Sequence, residues 1–480
     1  MRDMILILNY SDEFAREAAR RLRAEQVYSQ IINGMSTAMQ VKQWSPKGII
    51  LCGKASSSQG VLDEGILDLG IPVLALGHAA HMLLAAQGGA CADTALEQKK
   101  ALIQFEESVL FNGMADCERF VEEALMLMLP PDVQMIASAG GCTVAFEKTE
   151  KKQFGVQFQL ERNDPEGTAI LKNFALDVCG CERWWTIEAA QAEAEEALEK
   201  AAESGGSALC AVSGGIDSLV SACLTRRVFG EKMSAVFVDT GLLREGEADR
   251  VQAVYEALGI PLTRVDLSDT TLEALHGKQS MREKRDVVAS ALHEEMIRQA
   301  RAMEGADTLV LGNNYSDYLT SGMRHARWDE CGMNIVEPLH MLFKTEVREL
   351  AQLLDIEPDE VNRKPFPKLG LGARIIGEVT QERLLSLRMA DAIFREEICE
   401  AGLDRKLYKY FPVLACGTGD MNMEMVILRA VTVSGGQLLP ARLPYDLIER
   451  TTAKVLSLSP RITRVFYDQT PTPVEKETFL

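Results

Sequence analysis

Short apolar runs bounded by polar or turn residues recur through the first third of the chain, at 4–8, 48–51 and 72–76. Runs of that length read as strands buried on both faces, as in a parallel sheet. Helical spacing lies between them, clearest at 13–25. Strand and helix alternating in this way predict βαβ units and a doubly wound sheet.

The stretch 186–203 breaks the pattern. It is rich in Ala and Glu, with Leu198 the only large apolar residue after Ile187, and Ser204, Gly205, Gly206 and Ser207 follow. This predicts a polar, exposed helix, a flexible break and a domain boundary nearby. The alternation then resumes, with strands at 208–212, 234–238, 263–267 and 308–311. Helices are predicted at 217–229, 245–258, 284–303 and 345–354. After Lys364-Pro365-Phe366-Pro367 the texture changes, with Pro and Gly clustering up to Gly372. Strands at 425–433 and 464–467 and helices at 381–401 and 445–456 then predict a small α+β region. The expected architecture is α/β, with two doubly wound parallel-sheet domains (1–186 and 187–365) followed by a small α+β domain (366–480).

Composition narrows the function. At 480 residues, 47% hydrophobic and 25% charged, the chain is ordinary for globular protein. A net charge of −19 disfavours a broad nucleic-acid surface, which needs a basic footprint. No stretch reaches about 18 apolar residues, so no membrane span is expected. The apolar run at the N-terminus is too short for a signal peptide. Eleven cysteines are scattered, and the tight pair Cys179-Gly180-Cys181 has no matching second pair. That favours a reducing, cytoplasmic setting over a disulfide framework or a zinc site.

The chemistry concentrates at Ser213-Gly214-Gly215-Ile216-Asp217-Ser218, between a predicted strand and a predicted helix. The glycines permit a tight turn that brings backbone N–H groups close to a ligand. The helix N-terminus adds partial positive charge, so the site suits phosphate. A carboxylate there makes sense if Asp217 holds Mg²⁺; the alternative is a first-turn acid beside a plain turn. The loop lacks the Lys-Ser/Thr ending of a Walker loop. Asp239, at the end of the next strand, faces the ligand crevice of such a sheet and is placed either for a ribose hydroxyl or as a loop cap.

Three segments, 213–218, 236–244 and 342–348, resemble glutamine-hydrolysing GMP synthetases. The similarity continues through 364–367, 370–378, 390–394, 428–431 and 443–446, in the same order. The resemblance implies a class I glutaminase domain, an N-type ATP pyrophosphatase domain and a dimerisation domain, and hence a homodimer. It implies adenylation of a nucleotide acceptor, XMP, followed by displacement of AMP by ammonia. Ser213, Gly214, Gly215, Ile216, Asp217 and Ser218 would then hold the pyrophosphate part of ATP, with Asp217 on Mg²⁺ and Lys344 on phosphate. Arg244 would face the nucleotide acceptor.

The chain departs from that family in two places. Where the glutaminase reads Gly-Ile-Cys-Tyr-Gly-Met-Gln, this sequence reads Ala75-Leu76-Gly77-His78-Ala79-Ala80-His81. Gly77 stands at the nucleophile and Gln159 at the base, while Glu161 survives. A glycine cannot form a thioester and Gln159 cannot act as a base, so a degenerate glutaminase is expected. Cys52 is expected to be a structural thiol and not half of a new dyad with His78; His78 and His81 make only a weak metal pair. On the acceptor side Thr472 and Thr478 replace the family's lysine and glutamate, and Lys476 is out of register. Where the family has its lid, this chain carries Arg324, Arg327 and Trp328, which form either an acceptor pocket suited to an anion and a ring or a mobile surface loop. A paralogue with a different acceptor, and a non-catalytic ATP-binding protein, remain the competing readings.

Overall fold

Ile5, Leu6, Ile7 and Leu8 are all fully buried. A strand without a solvent face needs cover on both sides, and helices between parallel strands supply it. The computed structural model describes residues 2–53, 61–93, 99–121, 125–158, 164–321, 328, 331–364, 366–367, 369–416, 423–434 and 437–473. It divides into two compact units, Met1–Ala190 and Gln191–Leu480.

The first unit contains β1 (Ile5–Asn9), β2 (Ser29–Asn33), β3 (Gly48–Gly53), β4 (Val73–Gly77), β5 (Ala90–Asp93), β6 (Lys99–Phe105), β7 (Cys117–Val121), β8 (Leu125–Met128), β9 (Gln134–Ala139), β10 (Cys142–Lys148) and β11 (Gln153–Val156). Among the described residues nine of these form one sheet, ordered β2-β1-β3-β4-β11-β10-β9-β6-β7, while β5 pairs with β8. From β2 to β11 the strands run parallel, as the apolar runs predict. The remaining pairs are antiparallel, which the periodicity did not reveal. A signal for part of it was present: Gly140 and Gly141 both adopt positive φ between β9 and β10, and Gly-Gly is the chemistry of a two-residue hairpin turn.

The helix Ile187–Ala202 forms where expected, but it is not exposed all round. Ala190, Ala194, Leu198 and Ala201 are buried, and their spacing puts them on one helical face. Small alanines make a buried stripe that a search for large apolar residues overlooks.

The second unit holds β12 (Ser207–Val212), β13 (Met233–Asp239), β14 (Leu262–Asp266), β15 (Ala306–Val310) and β16 (Asn334–Val336) in one parallel sheet, ordered β14-β13-β12-β15-β16. A second sheet is built from β17 (Lys409–Cys416), β18 (Glu424–Ser434), β19 (Gln437–Pro440), β20 (Ile462–Tyr467) and β21 (Thr472–Pro473). It is antiparallel except where β20 lies parallel to β18. The helices Gln381–Glu400 and Tyr445–Leu456 contribute Leu387, Phe394, Leu447 and Val455 to a core shared with Leu414, Val426 and Leu428 of this sheet. Leu242, Leu275 and Val288, which follow β13 and β14 in the chain, belong to that same core. The α/β class and the later mixed-sheet region both match the sequence expectation.

Candidate active site

The chain runs from β12 through β13 to β14 on one side, then returns to place β15 on the other side of β12. That reversal opens a crevice at the carboxyl ends of β12 and β15, where ligands bind in sheets of this kind. The 213–218 segment lies there, joining β12 to the helix Ile216–Phe229. Gly214 has φ +75°, and a Cβ on it would come within 2.8 Å of Val251 Cγ2. Both facts require glycine.

The two serines tie the turn to itself. The Ser218 hydroxyl accepts from the Ser213 N–H at 3.1 Å and donates to the Gly215 carbonyl at 2.9 Å; the Ser213 and Ser218 hydroxyls are 3.1 Å apart. These bonds fix the backbone at the helix start, a geometry in which free amide groups can receive an anion. Gly312, just past β15, completes the floor: a Cβ there would lie 2.8 Å from the backbone N and Cα of Ser218. Sequence reasoning overlooked Gly312, although an isolated glycine at a strand end is a known sign of close backbone approach.

Asp217 lies in the first turn of its helix, and its Oδ2 makes an ion pair with Lys344 from far along the chain. Lys344 opens the helix Lys344–Leu353, whose start is fixed by the Glu346 side chain accepting from the Phe343 N–H at 2.7 Å. The other oxygen, Asp217 Oδ1, is buried and accepts no hydrogen bond among the described residues. Two residues named separately from sequence are thus brought together.

Asp239 ends β13 with both oxygens engaged. Oδ1 accepts from the Gly241 N–H at 2.9 Å, the loop-cap geometry, and Oδ2 pairs with Arg264 at 2.9 Å. The turn that follows is held by Arg388, which donates to the carbonyls of Gly241 (2.6 Å) and Leu243 (2.9 Å). The Arg244 side chain is 8% exposed and pairs with Asp391 at 3.0 Å, against the Phe366 ring. Arg374 and Arg395 converge on the same carboxylate at 2.9 and 3.1 Å. Burial, and then the neighbouring Arg244, push the Arg374 guanidinium down to about 9; burial and Arg374 push Lys409 down to about 8. Three guanidiniums around one carboxylate leave a local excess of positive charge. Arg374, Arg388, Asp391 and Lys409 were missed because their partners lie well over a hundred residues away or in another element.

In the first unit Gly77 has φ +61° and ψ −130° at the sharp join of β4 to the helix His78–Ala86. A Cβ built there would sit 2.5 Å from the Gly53 carbonyl oxygen. Cys52 is fully buried, and burial pushes its thiol far above the ordinary range, so it offers no thiolate. The rings of His78 and His81 meet edge to face at 5.3 Å. Gln159, Glu161, Arg324, Arg327, Lys476 and Thr478 lie outside the described residues. Trp328 is described and packs on the His293 ring at 4.7 Å. Thr472, in β21, accepts from Arg429 at 2.8 Å, and Arg429 also pairs with Asp468.

Residues 188–401, which include this crevice, match the family model described as NAD synthase. The whole chain is 34% identical over 502 residues to the protein named GMP synthase (glutamine-hydrolyzing) from Geobacillus kaustophilus (strain HTA426), covering 98% of each. Proteins of the same name from Bacillus cytotoxicus and Bacillus anthracis are also 34% identical, over 504 residues, again with 98% of each chain covered. The chain belongs to the glutamine-hydrolyzing GMP synthase family. It is an ATP pyrophosphatase-type carbon–nitrogen ligase. Among the described residues, no helix is long and apolar enough to cross a membrane.

Proposed function

We propose that this chain cleaves ATP between its α- and β-phosphates at the 213–218 loop, adenylates a nucleotide-like acceptor, and transfers free ammonia in place of glutamine-derived ammonia. The observation that carries the proposal is the pairing of a self-tied glycine turn with Asp217 and Lys344 at the switch point of the sheet.

Ser213, Gly215 and Ser218 would bind the pyrophosphate part of ATP through amides and hydroxyls. Lys344 would move from Asp217 to phosphate oxygens. Mg²⁺ fits Asp217, whose Oδ1 is buried without a hydrogen bond. Among the described residues no cluster of three or more His, Cys, Asp or Glu side chains exists. One carboxylate with phosphate oxygens and water is the usual way Mg²⁺ is held. Bound there, it would neutralise charge on the departing pyrophosphate. Asp239 would reach a ribose hydroxyl by exchanging Arg264 for it. Arg244, with the excess positive charge around Asp391, suits an anionic acceptor.

Two features support independence from glutamine. Gly77 carries no nucleophile, and the volume a side chain would need is taken by the Gly53 carbonyl. A second reading, an acceptor other than XMP, is favoured by Thr472, which stands where the family resemblance implies a lysine and which accepts a hydrogen bond from Arg429. A homodimer formed through the C-terminal region follows from the family resemblance alone.

One assay tests both readings: AMP and pyrophosphate formation from ATP and Mg²⁺ with ammonia or glutamine, across acceptors including XMP. Ammonia-dependent turnover of XMP is the expected result. Turnover supported equally by glutamine overturns the nitrogen-source proposal. Pyrophosphate release with another acceptor and none with XMP selects the second reading.

A further inference from the structure

The peptide between Gly214 and Gly215 is flanked by glycine on both sides. Such a peptide flips at little steric cost, and a flip reverses the direction of its N–H. In this structure the Gly214 carbonyl points at two guanidiniums: Arg250 donates to it at 3.1 Å and Arg363 at 3.4 Å. The peptide is trans, so a carbonyl held on one side directs the Gly215 N–H to the other side. There it donates to the Ser213 hydroxyl at 3.4 Å, a long bond that a phosphate oxygen at the same place could share.

The two arginines are themselves held. Glu247 forms a fork with Arg363, with Nη1 at 2.7 Å from Oε1 and Nη2 on Oε2, and it accepts from Arg250 at 3.1 Å. Arg250 also pairs with Glu360. Glu247 is nearly buried, and although burial opposes its charge, Arg363 and Arg250 hold its carboxyl below the usual range. Two arginines and two carboxylates sum to zero charge, so the network adds little net field at the phosphate site. What it supplies is direction, through charge-assisted hydrogen bonds stronger than neutral ones.

We propose that Arg363 and Arg250, oriented by Glu247 and Glu360, are positioning residues that lock the Gly214–Gly215 peptide with its N–H toward the pyrophosphate of ATP. The proposal rests on the assignment of ATP to the 213–218 loop. It gives Arg363, just ahead of Phe366 and the C-terminal sheet, a role in nucleotide binding without contact with the nucleotide.

The test compares ATP and acceptor kinetics in Arg363→Ala, Arg250→Ala and the paired change Arg363→Met/Glu247→Leu, which removes both charges and keeps volume should Arg363→Ala fail to fold. A rise in the KM for ATP of about tenfold or more is expected, equivalent to about 1.4 kcal/mol. The acceptor KM should stay within about twofold, and millimolar guanidinium should restore ATP binding in Arg363→Ala. An unchanged ATP KM in a folded Arg363→Met/Glu247→Leu variant overturns the positioning role. Asp217→Ala run alongside separates the two ideas: full turnover in that variant overturns the ATP assignment itself.

Discussion

Two glycine turns occupy matching places in the two units. Gly77 joins β4 to the helix His78–Ala86; Gly214 and Gly215 join β12 to the helix Ile216–Phe229. Both follow the end of a buried parallel strand, and both include a positive φ. Their surroundings differ. A side chain at Gly77 would meet the Gly53 carbonyl at 2.5 Å, so the first turn is closed by its own backbone. In the second turn Gly214 is likewise blocked, by Val251 at 2.8 Å, but a side chain at Gly215 would meet only the Ser213 hydroxyl, at 3.5 Å, so the second turn is open on the Gly215 side. The same strand-to-helix geometry can carry a reactive centre or be filled in. The neighbouring strand's carbonyl, more than the turn itself, decides which.

The strongest way to break this contrast is at Asp217. Asp217→Ala should lower pyrophosphate release by about a thousandfold or more, equivalent to roughly 4 kcal/mol of barrier, with the melting temperature little changed. Steady-state turnover that survives would remove the proposed Mg²⁺ and phosphate role of the open turn.

Support for the open turn is buried and charged. Asp391→Asn leaves Arg244, Arg374 and Arg395 around a neutral group and should cost about 3–5 kcal/mol of stability, measured by denaturant unfolding. A loss under about 1 kcal/mol, the scale of an exposed ion pair, would show that these arginines have compensation elsewhere.

The closed turn is tested by restoring its chemistry. Gly77→Cys should yield no ammonia from glutamine and should destabilise by about 2–3 kcal/mol, from the carbonyl clash together with the strained φ. Gly70, also at positive φ but with nothing within 4 Å of where a Cβ would sit, is the control: Gly70→Ala should cost only about 1 kcal/mol. Equal costs at the two sites would remove the steric part of the contrast.

A pH-dependent effect concerns Lys284, fully buried and donating to the Ile375 carbonyl at 2.7 Å. Burial, with Arg383 nearby, pushes its ammonium down to about 8 from an ordinary 10.5. Between those values the unfolded chain binds more protons than the native one, so stability rises with pH across that window. Wild type should therefore gain on Lys284→Met by up to about 1.4 kcal/mol per pH unit as pH climbs from about 8 toward the ordinary lysine value. A constant difference in melting temperature over that range would refute the charged, desolvated state.

Most elements of the open turn's unit were legible because their periodicities are local. The strands predicted at 208–212 and 234–238 and the helix at 445–456 fall within a residue of the observed bounds. The antiparallel half of the first unit escaped because alternation in short strands is a weak signal. The buried side of the helix at 187–202 escaped because that face is mostly alanine. The loop residues and Lys344 were named from sequence, but their supports, Gly312, Arg250, Arg363 and Arg388, were not. Each acts across a sequence separation at which no spacing rule operates.

By itself, the sequence determined the class of fold, the glycine turn at 213–218 and the lack of a side chain at Gly77, since each depends on residue type within a short window. Only the tertiary structure decided that Gly53 fills the elbow, that Lys344 faces Asp217 and that Arg363 grips the Gly214 carbonyl. Those are matters of which distant backbones approach one another, and packing settles them.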